Sequence, residues 1–567
     1  MTKRNIIHIL FLALFSITIF YGRDTRKKIQ NENKTLGEPK ASLSNAGNIS
    51  AWYRHDGFIE RNPYDNSSGV TFPRGTGQLI YASGLVWGGK VKDGDPQILR
   101  VGGGTYNIGL QGGKILPNRT SEPQSEPSVR IFRIRADWQT ANLRMDAAEI
   151  YSKKIEAVTD LDIGLVRTQY QIDWNEWPWE KGAPFYDLNH NGIKEQNEDP
   201  GFANATQVLW FVSNDLDGGK TNGLYGSKPI GLEMQTTIWS NASSGMSGNL
   251  IYRRHKLIYK GTPTTPDTAH IDSMYISEWC DPDLGDYGDD FAGCDTTLGL
   301  GFVYNSKDID ADYSYYNLPP PAAGYDFLQG PMVYTGNPND RAVFDLQYRY
   351  GYKNLPMTSF IYFAAGGIHS DPTLGAYEGT NQWYNLLLGR PPRPTGPPPP
   401  PELINPATGQ PTHYWNSGDP ITGTGWVDGM IEPTGDRRLC LNSGPFKMAL
   451  GDTQEVVCAL LASLGSSHLS SLALLKSLDR VVQEHYDTLF SVPIRKLPTL
   501  SPIVREYVSP TLTRLYVQVD GVGTNSVSMN VSLKLVNNTL VTSAQLFDDG
   551  MHFDGEAGDK IFGNILL

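Results

Sequence analysis

Residues 187–198, which read DLNHNGIKEQNE, have the residue types and spacing of a calcium-binding loop. The pattern D-x-[DN]-x-[DN]-G-x5-E is matched at every position. Ca²⁺ takes six to eight oxygen ligands, and this spacing wraps side-chain and backbone oxygens around one point, with glycine at the sharp turn. The predicted ligands are five side chains and one backbone carbonyl: Asp187, Asn189, Asn191, Glu195 (directly or through water), bidentate Glu198, and the carbonyl of Ile193.

The residues around this loop are not those of an ordinary EF-hand. Trp177-Pro178 precedes the loop and Asp199-Pro200-Gly201 follows it, so no pair of helices is expected to frame it. We therefore predict an EF-like calcium loop inside a β-domain. The alternative is a hydrated loop of side-chain-capped turns without a metal.

Two further acidic segments are weaker candidates for calcium. The first holds six carboxylates within fifteen residues, which repel one another unless they are solvated or bridged by a cation: Asp281, Asp283, Asp286, Asp289, Asp290 and Asp295. The second combines DG and GD steps that suit either hairpin turns or a calcium site at the rim of a domain: Asp548, Asp549, Asp554 and Asp559.

The four cysteines are too few for a disulfide scaffold, although an exported protein meets an oxidising environment. Cys280 and Cys294 flank the first acidic segment, and we predict a disulfide between them. Cys458 lies in the apolar run VVCALL, where an ordinary buried thiol is an equally good interpretation.

Searches for catalytic motifs find no H-E-x-x-H, no G-x-S-x-G and no Cys/His zinc spacing. One segment, residues 174–180, combines three tryptophans with Glu176 and Glu180. Aromatic faces beside carboxylates occur in sugar-binding and sugar-cleaving sites, so this segment is the candidate for a glycan site.

The elements that must position these residues are predicted to be strands. The chain has 567 residues, with 59 Gly, 38 Pro, 11% aromatic and only 19% charged residues, and short apolar runs alternate with turn residues. This pattern predicts a mainly β, multi-domain β-sandwich protein. The net charge of −12 argues against nucleic acid as a partner, because phosphate binding needs a basic surface.

The predicted organisation begins with a signal peptide over residues 1–22, because Lys3 and Arg4 precede a short apolar run. An uncleaved membrane anchor is the alternative; after cleavage no membrane span is expected. The remaining predicted segments are a flexible leader (23–45), a β-rich domain with the calcium loop (46–335), a second β-rich part with a proline-rich surface loop and a helix (336–492), and an Ig-like domain (500–567).

One amphipathic helix is predicted near residues 467–490. A serine at 466 or 467 can cap it, and apolar residues follow at steps of three and four: Leu469, Leu472, Leu475, Leu478, Val482, Tyr486 and Leu489. The stripe favours a helix packed on the protein's own sheet over one that binds a partner.

Several strings resemble an uncharacterised family of large exported proteins of Bacteroidota-like bacteria, whose members often use the type IX secretion route. The strings include GLVWGGKV (84–91), DWNEWP (173–178), LWFVSND (209–215), WCDPDLG (279–285) and DDFAGCD (289–295). The resemblance covers about residues 48–490. The resemblance implies a location outside the cell and a domain architecture, but it implies no enzymatic reaction.

Together these features predict a secreted or cell-surface, calcium-stabilised β-protein with a structural or adhesive role. Its partners would be components of the cell envelope or of extracellular surfaces, including glycans. The alternative hypothesis is a secreted protein that binds or cleaves glycans through residues 174–180.

Overall fold

The computed structural model describes residues 38–495 except 190, 244 and 397, and in the C-terminal part residues 499–500, 504–509, 512–520, 528–534, 540–549, 551 and 560–566. Strands hold 34% of the chain and helices 17%, which confirms the mainly β class. Two large antiparallel sheets contain most of these strands.

The first sheet has eight strands in the order β1-β2-β3-β4-β11-β22-β19, with β5 also paired to β4. The bounds are β1 Ala41–Ser44, β2 Ser50–Arg54, β3 Val70–Thr71, β4 Gln78–Lys92, β5 Leu99–Gly103, β11 His270–Pro282, β19 Ser359–Phe363 and β22 Arg438–Ala449. Strand β1 lies inside the segment predicted as a flexible leader, so the boundary at residue 45 is wrong. Its four residues pair with β2, and three of them are buried.

The second sheet has nine strands in the order β12-β13-β14-β23-β10-β9-β8-β6, with β7 also paired to β8. The bounds are β6 Gln111–Gly112, β7 Phe132–Arg135, β8 Gln207–Asn214, β9 Leu232–Ser240, β10 Leu250–Tyr259, β12 Asp290–Asp295, β13 Leu300–Asn305, β14 Ala322–Gln329 and β23 Thr453–Ser463.

The two sheets pack face to face around the largest hydrophobic core, and the second sheet is covered on its outer face as well. Strand β8 illustrates why: Leu209 and Phe211 point into the core between the sheets, whereas Trp210 points into the outer core. A strand that is buried on both faces reads as a continuous apolar run rather than an alternating one.

The boundary predicted at residues 335/336 falls inside both sheets. Strand β22 pairs with β11 and β19 in the first sheet, and the next strand, β23, lies between β14 and β10 in the second. Residues from both predicted parts therefore form one sandwich, because pairing between strands distant in sequence is not visible in local composition.

In the described part of the chain, six α-helices accompany the sheets: α1 Arg144–Ile150, α2 Asp160–Asn175, α3 Gly218–Tyr225, α4 Ala311–Tyr315, α5 Tyr377–Leu387 and α6 His468–Asp487. The amphipathic helix near residues 467–490 is confirmed as α6. Ser467 accepts a hydrogen bond from the backbone of Ser470, and Leu472 and Leu475 pack on the outer face of the second sheet. Among the described residues, every helix is too short or too polar to span a lipid bilayer.

Smaller elements complete the fold. Two-stranded sheets pair β15 Met332–Tyr334 with β18 Tyr352–Asn354, β16 Arg341–Phe344 with β17 Gln347–Tyr350, and β20 Leu403–Ile404 with β21 Pro411–Thr412. A C-terminal sheet contains β24 Thr499–Leu500, β25 Val504–Ser509, β26 Leu512–Asp520, β27 Ser528–Lys534, β28 Leu540–Phe547 and β29 Ile561–Leu566. The Ig-like arrangement of this region stays a prediction, and residues 1–37, which hold the predicted signal peptide, lie outside the described residues.

Candidate functional site

The predicted calcium loop lies between α2 and β8, and a short antiparallel bridge closes its base. Phe185 pairs with Pro200, and the backbone N–H of Tyr186 donates to the carbonyl of Asp199 at 2.9 Å. Among the described residues from 182 to 206 there is no helix, as expected from the proline and glycine flanks. The loop therefore projects from a β-like base.

The first half of the loop is organised by side chains that accept backbone hydrogen bonds. The two carboxylate oxygens of Asp187 accept the N–H groups of Asn191 (3.0 Å) and Gly192 (2.8 Å). The side-chain oxygen of Asn191 accepts the N–H of Ile193 at 2.7 Å. Gly192 has φ +74°, a left-handed conformation that glycine adopts at little cost. Three of the predicted ligand residues, Asp187, Asn191 and Ile193, are thus joined in one hydrogen-bonded turn.

Glu198 fastens the second half of the loop. Its carboxylate is buried, and its two oxygens accept the N–H groups of Leu188 (2.7 Å) and Glu195 (3.0 Å). One side chain therefore holds the first turn of the loop against the last. A buried carboxylate with two such donors is a strong local constraint, because charge-assisted hydrogen bonds are among the stronger ones.

Glu195 faces the two asparagines from the other side. Its Oε1 accepts the side-chain amides of Asn191 (2.6 Å) and Asn189 (3.2 Å), and these bonds hold the pKa of Glu195 below its ordinary value. Its Oε2 is shielded from solvent and has no hydrogen-bond partner. This oxygen is an unsatisfied acceptor within the predicted ligand set.

The three carboxylates of the loop nevertheless do not all converge on one point, although those of Glu195 and Glu198 lie within hydrogen-bonding distance of each other. Among the described residues, Asp187, Glu195 and Glu198 do not form a group whose ligand oxygens all lie within 4.8 Å of one another. A calcium cage here depends on the asparagine oxygens and on the carbonyl of Ile193 as well.

The acidic segment 281–295 is divided by the fold, so its six carboxylates do not form one site. Four of them have partners nearby: Asp286 accepts the N–H of Gly288, Asp289 pairs with Lys307 at 2.8 Å, Asp290 accepts the N–H of Leu284, and Asp295 pairs with Lys476 at 3.2 Å. Burial raises the pKa of Asp290 well above its ordinary value.

The other two, Asp281 and Asp283, meet a third carboxylate that the sequence did not indicate. Ligand oxygens of Asp281, Asp283 and Asp436 lie within 4.8 Å of one another. Burial raises the pKa of Asp281 well above its ordinary range and that of Asp283 to about 7, and Asp436 adds to both shifts. Only the pairing of β11 with β22 brings Asp436 here, so no local sequence signal could have found it.

Two aspartates of the C-terminal DG and GD steps are described, and both accept backbone hydrogen bonds. Asp548 accepts the N–H of Lys560 at 3.1 Å, and Asp549 accepts that of Met551 at 2.9 Å. Asp554 and Asp559 lie outside the described residues, so a calcium site at this rim stays a prediction.

The predicted disulfide is wrong. All four cysteines are free, buried thiols. Cys280 lies on β11 in the first sheet, whereas Cys294 lies on β12 in the second, because the acidic segment is the crossover between the two sheets. Cys458 is an ordinary buried thiol on β23, one of the two interpretations of its apolar run.

The tryptophans of residues 174–180 pack mainly in the hydrophobic core on the outer face of the second sheet. Trp177 is buried and its indole N–H donates to the carbonyl of Pro184 at 2.7 Å, while Trp174 and Trp179 pack against the same core. Glu176 pairs with Arg130 at 3.1 Å. One face of Trp174 lines a depression of about 250 Å³ together with Tyr186 and Asp199.

The chain matches no protein-family model and no curated protein sequence. The resemblance to exported proteins of Bacteroidota-like bacteria therefore stays a prediction.

Proposed function

We propose that this protein is a calcium-stabilised β-protein that works outside the cell or on its outer surface in a structural or adhesive role. The observation that carries the proposal is the hydrogen-bonded turn of loop 187–198 around oxygen-bearing side chains. Buried Glu198 holds its two halves together, and one oxygen of Glu195 has no partner.

Calcium at this position would stabilise a segment with little regular structure of its own. Between the end of α2 and the start of β8, the described residues contain one 3-10 turn and one isolated bridge. Trp177 and Phe202 from this segment nevertheless pack on the outer face of the second sheet. Long connections without secondary structure are uncommon in compact domains and are often functional. A cation that crosslinks the loop would hold this covering layer in place.

The expected affinity is that of an extracellular calcium module. Only Asp187, Glu195 and Glu198 bring charge, and sites with few charged ligands bind calcium with dissociation constants on the order of 10⁻⁴–10⁻³ M. At calcium concentrations about tenfold above such a constant, binding to the folded state adds roughly 1–2 kcal/mol. Extracellular fluid would keep the site filled, so calcium acts here as a structural component.

The location outside the cell is supported by the N-terminal sequence, in which Lys3 and Arg4 precede a short apolar run typical of an export signal. Components of the cell envelope or of extracellular surfaces, including glycans, are the partners that such an address offers.

Thermal melting with limited proteolysis tests the calcium proposal. Removing calcium with a chelator should lower the melting temperature and make loop 187–198 the first cleavage site. Asp187→Ala and Glu198→Ala should reproduce both effects and abolish most of the further response to chelator. Asp267→Ala, which removes a highly exposed carboxylate, is the control and should respond as the wild type does. If chelation changes neither the melting curve nor the cleavage pattern of the wild type, the loop is only a turn.

A second candidate function, glycan binding or cleavage, is favoured by the depression beside Trp174. It places an aromatic face, a tyrosine and the carboxylate of Asp199 around a space that would admit about one sugar ring. Incubation with a polysaccharide panel separates the two candidates. Release of reducing ends that is lost in Asp199→Asn, the carboxylate that lines the depression, would favour cleavage, whereas no binding or release would remove this candidate.

A further inference from the structure

Three strands of the first sheet bring distant acidic residues to one corner of the sandwich. Asp281 is near the end of β11, Asp436 comes just before β22, and Asp371 follows β19. Arg438, the first residue of β22, is paired in register with Phe363, the last residue of β19. Because neighbouring strands run antiparallel, the end of β11, the start of β22 and the end of β19 meet at the same end of the sheet.

The geometry of this corner is compatible with one shared cation. Ligand oxygens of Asp281, Asp283 and Asp436 all lie within 4.8 Å of one another. Oxygens that bind one Ca²⁺ from opposite sides at 2.3–2.6 Å are about 5 Å apart, so this spacing falls within the range that a single ion allows.

Two oxygens in the cluster have no hydrogen-bond donor. Asp281 is 3% exposed, and its Oδ1 is shielded from solvent without a partner; the same holds for Oδ1 of Asp436. The carboxyl groups of these two residues lie within hydrogen-bonding distance of each other, so two acceptors face one another. A buried acceptor without a donor is costly, and a second carboxylate beside it increases the cost.

Arg438 lies beside both carboxylates but does not satisfy these oxygens, and its own Nε and Nη1 also have no hydrogen-bond partner. Its guanidinium lies 2.8 Å from Oδ2 of Asp436 and 3.4 Å from Oδ2 of Asp281. It also lies 3.5 Å from Oδ1 of Asp371. An outer cationic group of this kind fixes the direction in which the ligand oxygens point.

The charge of the corner also points to a divalent ion. Four carboxyl groups, those of Asp281, Asp283, Asp371 and Asp436, meet the guanidinium of Arg438 and the nearby Arg61, so the acidic groups outnumber the basic ones by two. Asp436 and Asp371 are partly exposed, with 21% and 35% of their side chains accessible, so an ion can enter from solvent.

We propose that Asp281, Asp283 and Asp436 form a second binding site for a hard divalent cation, calcium in the extracellular setting. The ion ties the end of β11 to the start of β22. This site shares no residue with loop 187–198, and its existence does not depend on calcium binding there.

Manganese binding provides the test, because free Mn²⁺ is counted directly by electron paramagnetic resonance and Mn²⁺ accepts oxygen ligands. The full chain carrying Glu198→Ala removes the loop from the count. It should still bind one Mn²⁺, and calcium should displace it. Adding Asp436→Asn should weaken that binding by about tenfold or more. Adding Asp267→Asn, the matched exposed carboxylate, should leave it unchanged. Absence of bound Mn²⁺ in Glu198→Ala, or equal binding after Asp436→Asn, would overturn the proposal.

Hydrogen exchange of the unmodified chain gives a measurement that does not depend on the folding of a variant. Calcium should slow exchange in peptides that contain residues 281–284 and 435–439. Unchanged exchange in these peptides, whatever happens at residues 187–198, would also overturn the second site.

Discussion

Loop 187–198 and the corner formed by Asp281, Asp283 and Asp436 are two acidic sites of opposite construction. The loop contains all its predicted ligand residues within one short stretch of chain and organises them by local hydrogen bonds. The corner draws its residues from two strands of a completed sheet and balances them with Arg438. A site built from residues close in sequence can be predicted from the sequence and stabilises its own segment. A site built from distant residues exists only when the sheet has formed.

The largest difference between the two sites is expected when the balancing cation of the corner is removed. Arg438→Met leaves Asp281 and Asp436 without their guanidinium, and breaking a largely buried ion pair destabilises a protein by about 3 kcal/mol or more. Chemical denaturation should show this loss. Calcium should restore part of it, because the ion would replace the missing charge.

Arg495→Met provides the control for this variant. Arg495 pairs with Glu484 at 2.9 Å, but both side chains are more than half exposed, so its loss should cost less than about 1 kcal/mol. If both arginine variants cost the same, the corner is no more than a surface ion pair.

A third acidic cluster shows what burial does to two carboxyl groups that face each other. Asp326 on β14 faces Asp479 on α6; burial raises the pKa of Asp326 to about 7 and that of Asp479 well above its ordinary value. Both carboxyl groups have higher pKa values in the folded chain than in the unfolded chain. Their contribution to the free energy of unfolding is therefore fully present below about pH 4 and is lost as the pH rises through about 7.

Asp479→Asn should therefore stabilise the protein by on the order of 2 kcal/mol at pH 8 and have little effect near pH 4. Melting curves across this pH range, with and without calcium, provide the measurement. Asp487→Asn, at the exposed end of the same helix, should show no such pH dependence. A calcium response that disappears in Asp479→Asn would mean that this pair, too, binds the ion.

A smaller effect is expected from the turn of the calcium loop. Gly192→Ala places a side chain at φ +74°, which should cost about 1 kcal/mol and weaken calcium binding. Gly409→Ala is a matched control, because Gly409 has φ +70° and, like Gly192, open space around it. Calorimetry should find weaker binding only for Gly192→Ala. Equal calcium affinity in both variants would show that the turn at Gly192 does not contribute to calcium binding.

The smallest expected effect concerns the cysteines. Because all four thiols are free and buried, a reducing agent should leave the melting temperature unchanged. Thiol labelling after unfolding without reductant should modify four cysteines per chain. Modification of only two cysteines would show that the other two form a disulfide, and peptide mapping would identify that disulfide.

The sequence predicted best what short segments determine by themselves. Helix α6 follows from a capping serine and a regular apolar stripe, and the hydrogen bonding of loop 187–198 follows from its spacing. The mainly β class follows from composition and turn residues. Each of these depends on interactions between residues close in sequence.

The features that the sequence missed depend on pairing between distant strands. Strand β1 has a polar sequence, ASLS, and becomes a strand because β2 pairs with it. The predicted domain boundary at 335/336 is wrong because β22 pairs within the first sheet and β23 within the second. Asp436 could not be linked to Asp281, because their proximity depends on the register between β11 and β22.

Counting bound calcium by equilibrium dialysis tests the central claim most directly. The wild-type chain should bind two calcium ions, and Glu198→Ala and Asp436→Asn should each bind one. The double variant should bind none. If Glu198→Ala binds as many calcium ions as the wild type with the same affinity, loop 187–198 is not a calcium site and the proposed calcium-stabilised function is contradicted.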